Sequence, residues 1–411
     1  MRSPLEALRA GRSVVVEAVP GAGKTHLLLE AAAAAPCLLL AYNTQLAAGV
    51  RARLGPDSAC LTFHGLCSRC LGPARDDDQL LAWVVRAERG EVVAHDVPAS
   101  DWVLVDEAQD VREAYARLLC VLGLVDRPLL VAGDELQLIY DFDPAFPASL
   151  AALRQPARAF GPGAGWERAT LCTSYRLTQP CAAFVNALFG TRIEAVRAGP
   201  PVEVRAAASP WRLAEALDDL ASDGILLLVD RKNGNRGLRE LLNSWSRRGV
   251  RLRVHGVDDD EAAGAGVLTC GTYWSAKGLE APTVVVLLPA QCARNPTYVA
   301  LTRASQRLVV VLDARAPHPL VARTVLQRPE DFDVRGPRTW AVLRAGATAD
   351  AARALTKWSG GAARRSLERW VPQSAAVHAH ARVSPCTAGE GEATALGRAR
   401  GEVMVKMALV A

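Results

Sequence analysis

Apolar and polar positions divide this chain into short apolar runs separated by longer stretches of helical period. The runs at 14–19, 37–42, 59–63, 102–106 and 128–132 are rich in Val and Leu and only a few residues long, as strands buried on both faces are. An Ala-rich stretch over 25–35 between the first two reads as a helix. Alternation of this kind predicts an α/β fold built on a parallel sheet. The Gly/Pro cluster Gly161-Pro162-Gly163-Ala164-Gly165 reads as a connection. Beyond it a second series of runs follows at 202–206, 225–230, 250–255, 266–271, 283–288 and 307–312. No fixed-period repeat is present. The expected organisation is an α/β domain over residues 1–165, a second over 166–318 and a small helical extension over 319–372. In the extension Trp340, Leu343, Leu355, Trp358, Leu367 and Trp370 form the apolar face. Past about Gln373 periodicity fades into Ala, Gly and Ser, so 373–411 reads as a poorly ordered tail.

Two α/β halves of similar size predict a ligand cleft between them, and the first half names its ligand. Val14-Val15-Val16 runs into Ala18-Val19-Pro20-Gly21-Ala22-Gly23-Lys24-Thr25, a strand entering a phosphate-binding loop. Its glycines let backbone N–H groups turn toward phosphate oxygens, and the helix that follows offers its positive end. Lys24 is placed to reach the β- and γ-phosphates, and Thr25 to hold Mg²⁺ through its hydroxyl. Of 48 Lys and Arg residues only five are Lys (Lys24, Lys232, Lys277, Lys357, Lys406), so a lysine here marks a place where a compact point charge is wanted. The apolar run Val103-Leu104-Val105 ends in Asp106-Glu107-Ala108-Gln109-Asp110. Below a phosphate loop, such a strand end supplies an Asp for the Mg²⁺ shell and a Glu to deprotonate the attacking water. Gln137, after the run Leu129–Ala132, brings a neutral amide suited to a γ-phosphate or that water.

The net charge is +5, and it sits unevenly. Residues 316–411 carry 14 Lys/Arg and 8 Asp/Glu, a balance of +6, which leaves about −1 for the rest. Bulk charge therefore does not mark the first 315 residues as nucleic-acid binding. No apolar run reaches membrane-span length and the N-terminus has no secretory pattern, so a cytoplasmic protein without a membrane partner is expected. Ten scattered cysteines agree with reduced thiols. Cys60, His64, Cys67 and Cys70 contain a single C-x-x-C, which favours small buried thiols over a zinc site.

Taken in order, residues 18–25, 62–64 (Thr62-Phe63-His64), 106–110, 133–140 (Gly133 to Tyr140), 174–176 (Ser174-Tyr175-Arg176), 272–280 (Thr272 to Glu280) and 298–304 (Tyr298 to Ala304) resemble the signatures of superfamily 1A DNA helicases. The branch they resemble most is UvrD/PcrA/Rep, with some likeness to the F-box DNA helicases. The resemblance covers residues 14–312. It implies two RecA-like P-loop NTPase domains that hydrolyse ATP with Mg²⁺ in their cleft and step along single-stranded DNA, in the 3′-to-5′ direction. It also implies bacterial, nucleoid-associated use in pathways such as DNA repair. By the same resemblance Pro20, Gly21, Ala22, Gly23, Lys24, Thr25 and His26 cradle the nucleotide, with Thr25 and Asp106 on Mg²⁺. Glu107 and Gln137 act on the water, and Arg176 and Arg303 serve as arginine fingers. Tyr175 lies near the adenine and Glu280 accepts a ribose hydroxyl. Thr62, Phe63, His64, Phe142 and Trp274 lie along the DNA, as does the segment Tyr42-Asn43-Thr44-Gln45.

The chain departs from the family in several places. Residues 1–17 lack the adenine-reading Gln, His26 stands where relatives have Arg, Trp274 where they have His, and Asp143 where a basic residue is common. Only 41 residues separate His64 from Asp106 and 95 separate Arg176 from Thr272, where relatives insert accessory domains. A reduced motor of this kind has two alternatives beside it: a nucleic-acid-gated ATPase switch that needs an accessory protein, and a helicase whose track is RNA.

Overall fold

The computed structural model describes residues 3–41, 47, 50–51, 53–139, 149–161, 165–207, 217, 220, 224–230, 242–243, 245–247, 249, 251–255 and 267–348. Two parallel sheets organise it. The first contains β1 (Ser13–Ala18), β2 (Cys37–Ala41), β3 (Ala59–Thr62), β4 (Trp102–Val105), β5 (Leu129–Gly133) and β6 (Trp166–Leu171), in the order β3-β2-β4-β5-β1-β6. A short pair, β7 (Thr173–Thr178) and β8 (Glu194–Arg197), follows. The second sheet comprises β9 (Val202–Ala207), β10 (Ile225–Val229), β11 (Arg251–Val254), β12 (Val267–Thr272), β13 (Ala281–Leu288), β14 (Ala304–Asp313) and β15 (Phe332–Val334). Its order is β11-β12-β10-β13-β14-β9-β15. The fold is the α/β class that the apolar runs imply, two RecA-like layers with parallel sheets.

Alternation within each strand splits the core in two. In the first sheet Val14, Val16, Leu39, Leu104 and Leu130 face one side, and Val15, Leu38, Leu40, Val103, Val105 and Val131 face the other. The second sheet does the same with Leu226, Leu228, Val284, Val286, Leu308 and Val310 against Leu227, Val285, Val309 and Val311. Strands buried on both faces read as unbroken apolar runs, which is why most of both cores was visible in the sequence.

Three details differ from expectation. β6 lies after the Gly161–Gly165 break yet pairs with β1, so the first sheet closes at Leu171 and not at 165. Its inner and outer residues alternate between partly buried and exposed, leaving no apolar run to read. β7, β8 and β15 are equally polar and short. The helical extension is described only as far as helices Pro319–Gln327 and Pro337–Thr348, where Leu343 is buried in the second core and Trp340 packs against it. Leu355, Trp358, Leu367, Trp370 and the expected tail 373–411 lie outside the described residues. Among the described residues, no helix is long and apolar enough to cross a membrane.

Candidate active site at the carboxyl ends of the first sheet

β5 lies between β1 and β4, so the three loops that leave these strands emerge side by side. Parallel α/β sheets bind ligands at such strand ends. From β1 the chain passes through Gly21 and Gly23, both at positive φ (+73° and +87°), into the helix Lys24–Ala34. The first-turn N–H groups of a helix have no acceptor within it, so this bend offers a ready cradle for phosphate oxygens. Gly21 is fixed from behind as well. Ser174 Oγ donates to Pro20 O at 2.7 Å, Tyr175 N donates to Gly21 O at 2.9 Å, and a Cβ on Gly21 would meet Arg176 Cβ at 2.4 Å.

β4 delivers the acidic pair. Asp106 is buried, and its Oδ1 accepts the Glu107 N–H at 2.8 Å. Glu107 adopts the left-handed region (φ 50°, ψ 47°), a strained backbone for a residue with a Cβ. That turn aims its carboxylate at the phosphate loop, with Oε1 3.9 Å from Lys24 Nζ. Burial alone would raise the Glu107 carboxyl, but Lys24, Lys277, a hydrogen bond from Gln109 and Arg303 outweigh it and hold it below the usual carboxylate range. Asp106 moves the other way, raised by burial and by the adjacent Glu107 charge. One carboxylate is thus kept ionised, and a buried neighbour is left whose charge a cation would stabilise. A hydroxyl on Thr25 and a carboxylate on Asp106 are hard oxygen donors suited to Mg²⁺.

After β5, Asp134 is 8 % exposed and caps the turn Glu135–Gln137. Gln137 Nε2 donates to Asp134 Oδ2 at 2.9 Å, which turns its Oε1 outward. The second layer meets it there. Arg303 Nη2 lies 3.5 Å from Gln137 Oε1, and Arg303 is 2 % exposed, with Nε donating to Val299 O at 2.8 Å. Burial, and Arg176 after it, lower the Arg303 guanidinium to about 10. Lys277 also crosses the cleft. Its ammonium donates to Asp110 Oδ2 and to Gln137 O (3.2 Å), and lies 3.9 Å from Glu107 Oε2. Burial pushes the Asp110 carboxyl up to about 6 even with Lys277 against it.

The expected nucleotide residues Lys24, Glu107, Asp106, Gln137 and Arg303 therefore converge. Arg176 and Glu280 are close but bound to each other, with Nε 2.6 Å from Oε2. Tyr175 is 64 % exposed beside Gly21, an open aromatic face next to the phosphate loop. His26 is exposed on the first helical turn.

The nucleic-acid expectations fare differently. Thr62 caps the helix Phe63–Cys70, its Oγ1 accepting the Gly65 N–H at 3.0 Å. Phe63 departs from its expected place along the DNA: it is 4 % exposed, with its ring stacked on Tyr115 at 4.5 Å. His64 Nε2 lies 3.1 Å from Asp77 Oδ1, and the same carboxylate accepts from Tyr115 Oη (2.6 Å) and from Arg112. The apolar periodicity of 63–70 and the short interval to Asp106 carried the signal for this packing. Trp274 is half-buried against Tyr273 and the second core. Cys60, Cys67 and Cys70 are buried thiols, and burial raises all three. Tyr42–Gln45, Tyr140, Phe142 and Asp143 lie outside the described residues.

Gln109, Asp134 and Tyr298 had no expected role, and Lys277 stood out only as a rare lysine. Gln109 is fully buried, donating from Nε2 to Glu107 and accepting the Asp134 N–H on Oε1 at 3.0 Å. Its letter in Asp106–Asp110 was visible, but its geometry depends on β4 and β5 being neighbours.

Residues 4–143 match the AAA domain family. The matched stretch holds the phosphate-binding loop and the first five strands of the first sheet. No curated protein matches the chain. Among solved structures it is similar to arterivirus nonstructural protein 10 (helicase) in complex with DNA, at 16% identity over 75% of this chain and 62% of that one, with a TM-score of 0.36. It is also similar to the C-terminal domain of a possible DNA helicase from Lactobacillus plantarum, at 18% identity over 40% of this chain and 99% of that one (TM-score 0.30). A third likeness is to Dbp5 of Saccharomyces cerevisiae in a complex with ADP, at 12% identity over 86% and 93% of the two chains (TM-score 0.48). The chain thus spans 62% of the length of the arterivirus protein.

Proposed function

We propose that this chain is an ATP- and Mg²⁺-dependent helicase or translocase of superfamily 1A, UvrD/PcrA/Rep-like in its motifs. It would act on single-stranded DNA in the 3′-to-5′ direction, in the bacterial cytoplasm. One observation supports the reading: charged and amide groups from both layers meet beside the phosphate-binding loop. Lys24, Glu107 and Gln137 come from the first layer, and Lys277 and Arg303 reach them from the second. A site divided in this way completes itself only when the layers close, so the nucleotide state and the interlayer angle are one coordinate. Thr25 and Asp106 would hold the metal ion, which would supply charge stabilisation to the transferred phosphate. Glu107 would orient the water and take its proton, and Arg303 would stabilise the charge that builds on the transferred group.

Hydrolysis of ATP with and without single-stranded DNA, beside Lys24→Ala and Glu107→Gln, tests this. The expected result is strong stimulation by DNA that both variants abolish. ATP binding without appreciable hydrolysis by the wild type would overturn the autonomous motor. A second reading, a gated ATPase switch that needs a partner protein, is favoured by the internal engagement of Phe63 and His64 and by the Arg176–Glu280 pair. Matched RNA oligonucleotides in the same assay distinguish an RNA track.

A further inference from the structure

The turn Glu135–Gln137 presents Gln137 to the cleft, and the second layer holds that turn by more than Arg303. The helix Arg294–Leu301 abuts it with its first turn. Asn295 Nδ2 donates to Leu138 O at 2.7 Å and lies 3.4 Å from Glu135 O, so one carboxamide nitrogen addresses the carbonyls on both sides of Gln137. An amide NH₂ has two donors, which matches two acceptors. Three residues along, on the same helix face, Tyr298 Oη donates to Asp134 Oδ2 at 3.3 Å, and that oxygen also receives Gln137 Nε2. The helix ends at Leu301, and Arg303 is tied back to it through Val299 O. The helix therefore grips the backbone of the turn at one end and carries the guanidinium that meets the Gln137 side chain at the other.

We propose that Asn295 is a positioning residue for ATP hydrolysis, which sets the register of Arg303 against Gln137 across the cleft. This rests on the reading that the cleft hydrolyses ATP. Asn295 touches none of the predicted nucleotide residues with its side chain. It acts on the Glu135 and Leu138 carbonyls, one before and one after Gln137, and a shift of this turn would separate Gln137 Oε1 from Arg303 while leaving the phosphate loop intact. Asn295→Asp keeps the volume, removes both donors and sets a carboxylate against two carbonyl oxygens. Asn295→Ala removes the donors and leaves room for water, and it serves should the Asp variant fail to fold.

The test is steady-state ATP hydrolysis with single-stranded DNA for both variants, alone and with Gln137→Ala, beside amide hydrogen exchange of residues 134–139. A kcat about ten- to a hundredfold lower, with KM within about twofold of wild type, is expected. Adding either change to Gln137→Ala should cost little more, because the two act as one unit. Exchange over 134–139 should quicken and the phosphate-loop segment should not. Unchanged kcat, a loss that appears in KM, or full additivity with Gln137→Ala would overturn the proposal. A wild type that hydrolyses no ATP defeats the functional reading instead. Exchange then still decides the contact, since unaltered protection at 134–139 in both variants would refute it.

Discussion

A methyl group at position 21 would lie 2.4 Å from Arg176 Cβ and 2.9 Å from Ser174 Oγ, on a backbone already at φ +73°. Gly90 has nearly the same φ (+72°) but open space around it. The comparison separates backbone strain from steric exclusion. Gly90→Ala is expected to lose about 1 kcal/mol of stability. Gly21→Ala should lose more, about 2 kcal/mol or above, because β7 must also retreat. It should weaken ATP binding by about tenfold or more, since the loop that cradles phosphate is what moves. Thermal denaturation and titration with a fluorescent ATP analogue check both, and equal losses of stability would refute the packing argument. At this scale the sequence was legible wherever chemistry is local. Lys24, Asp106, Glu107 and Gln137 each follow an apolar run by a fixed step, so the run announces the side chain. The left-handed Glu107 and the buried Gln109 amide were not legible, because each depends on the strand that pairing sets alongside.

Elements buried on both faces announced themselves as apolar runs, whereas β6 and β7, each with one side toward solvent, did not. The Thr62–His64 segment shows the limit of motif reading at this level. Its three side chains cap a helix, fill the core and pair with Asp77, and the interval that supplies Asp77 is only 41 residues long. The helix Pro319–Gln327 supplies a test of element stability. His318 at its N-cap is 1 % exposed, and burial depresses its imidazole from 6.5 to about 4. Between those values the unfolded chain holds the proton and the native helix does not, so falling pH favours unfolding. The His318 contribution to stability should be level above about pH 6.5, decline by roughly 3 kcal/mol toward pH 4 and flatten below it. Urea melts across this range, beside His318→Gln, measure it. The variant should lose that portion of the slope, and an unchanged slope would show that other groups cause it.

The two layers are joined through charge placed where solvent is scarce. Asp110 has no exposed side-chain surface, and Lys277 reaches it from the other side of the cleft. Neither half holds the pair alone, which is why the sequence, read segment by segment, could mark Lys277 as unusual in an Arg-rich chain yet give it no partner. Removing one member of a buried pair strands the other, at about 3–5 kcal/mol, whereas removing both is far milder. Lys277→Met should therefore lower the melting temperature, and it should split a single transition into two if the halves unfold separately once unlinked. Lys277→Met with Asp110→Asn should recover most of the loss, since an amide in the same volume carries no charge to desolvate. Differential scanning calorimetry of the wild type, both single variants and the double variant reads this as a cycle. A double variant no more stable than Lys277→Met would mean that the loss comes from lysine packing along the cleft. Recovery of stability without recovery of ATP hydrolysis would separate the two tasks of Lys277, holding the layers together and facing Glu107 across the site.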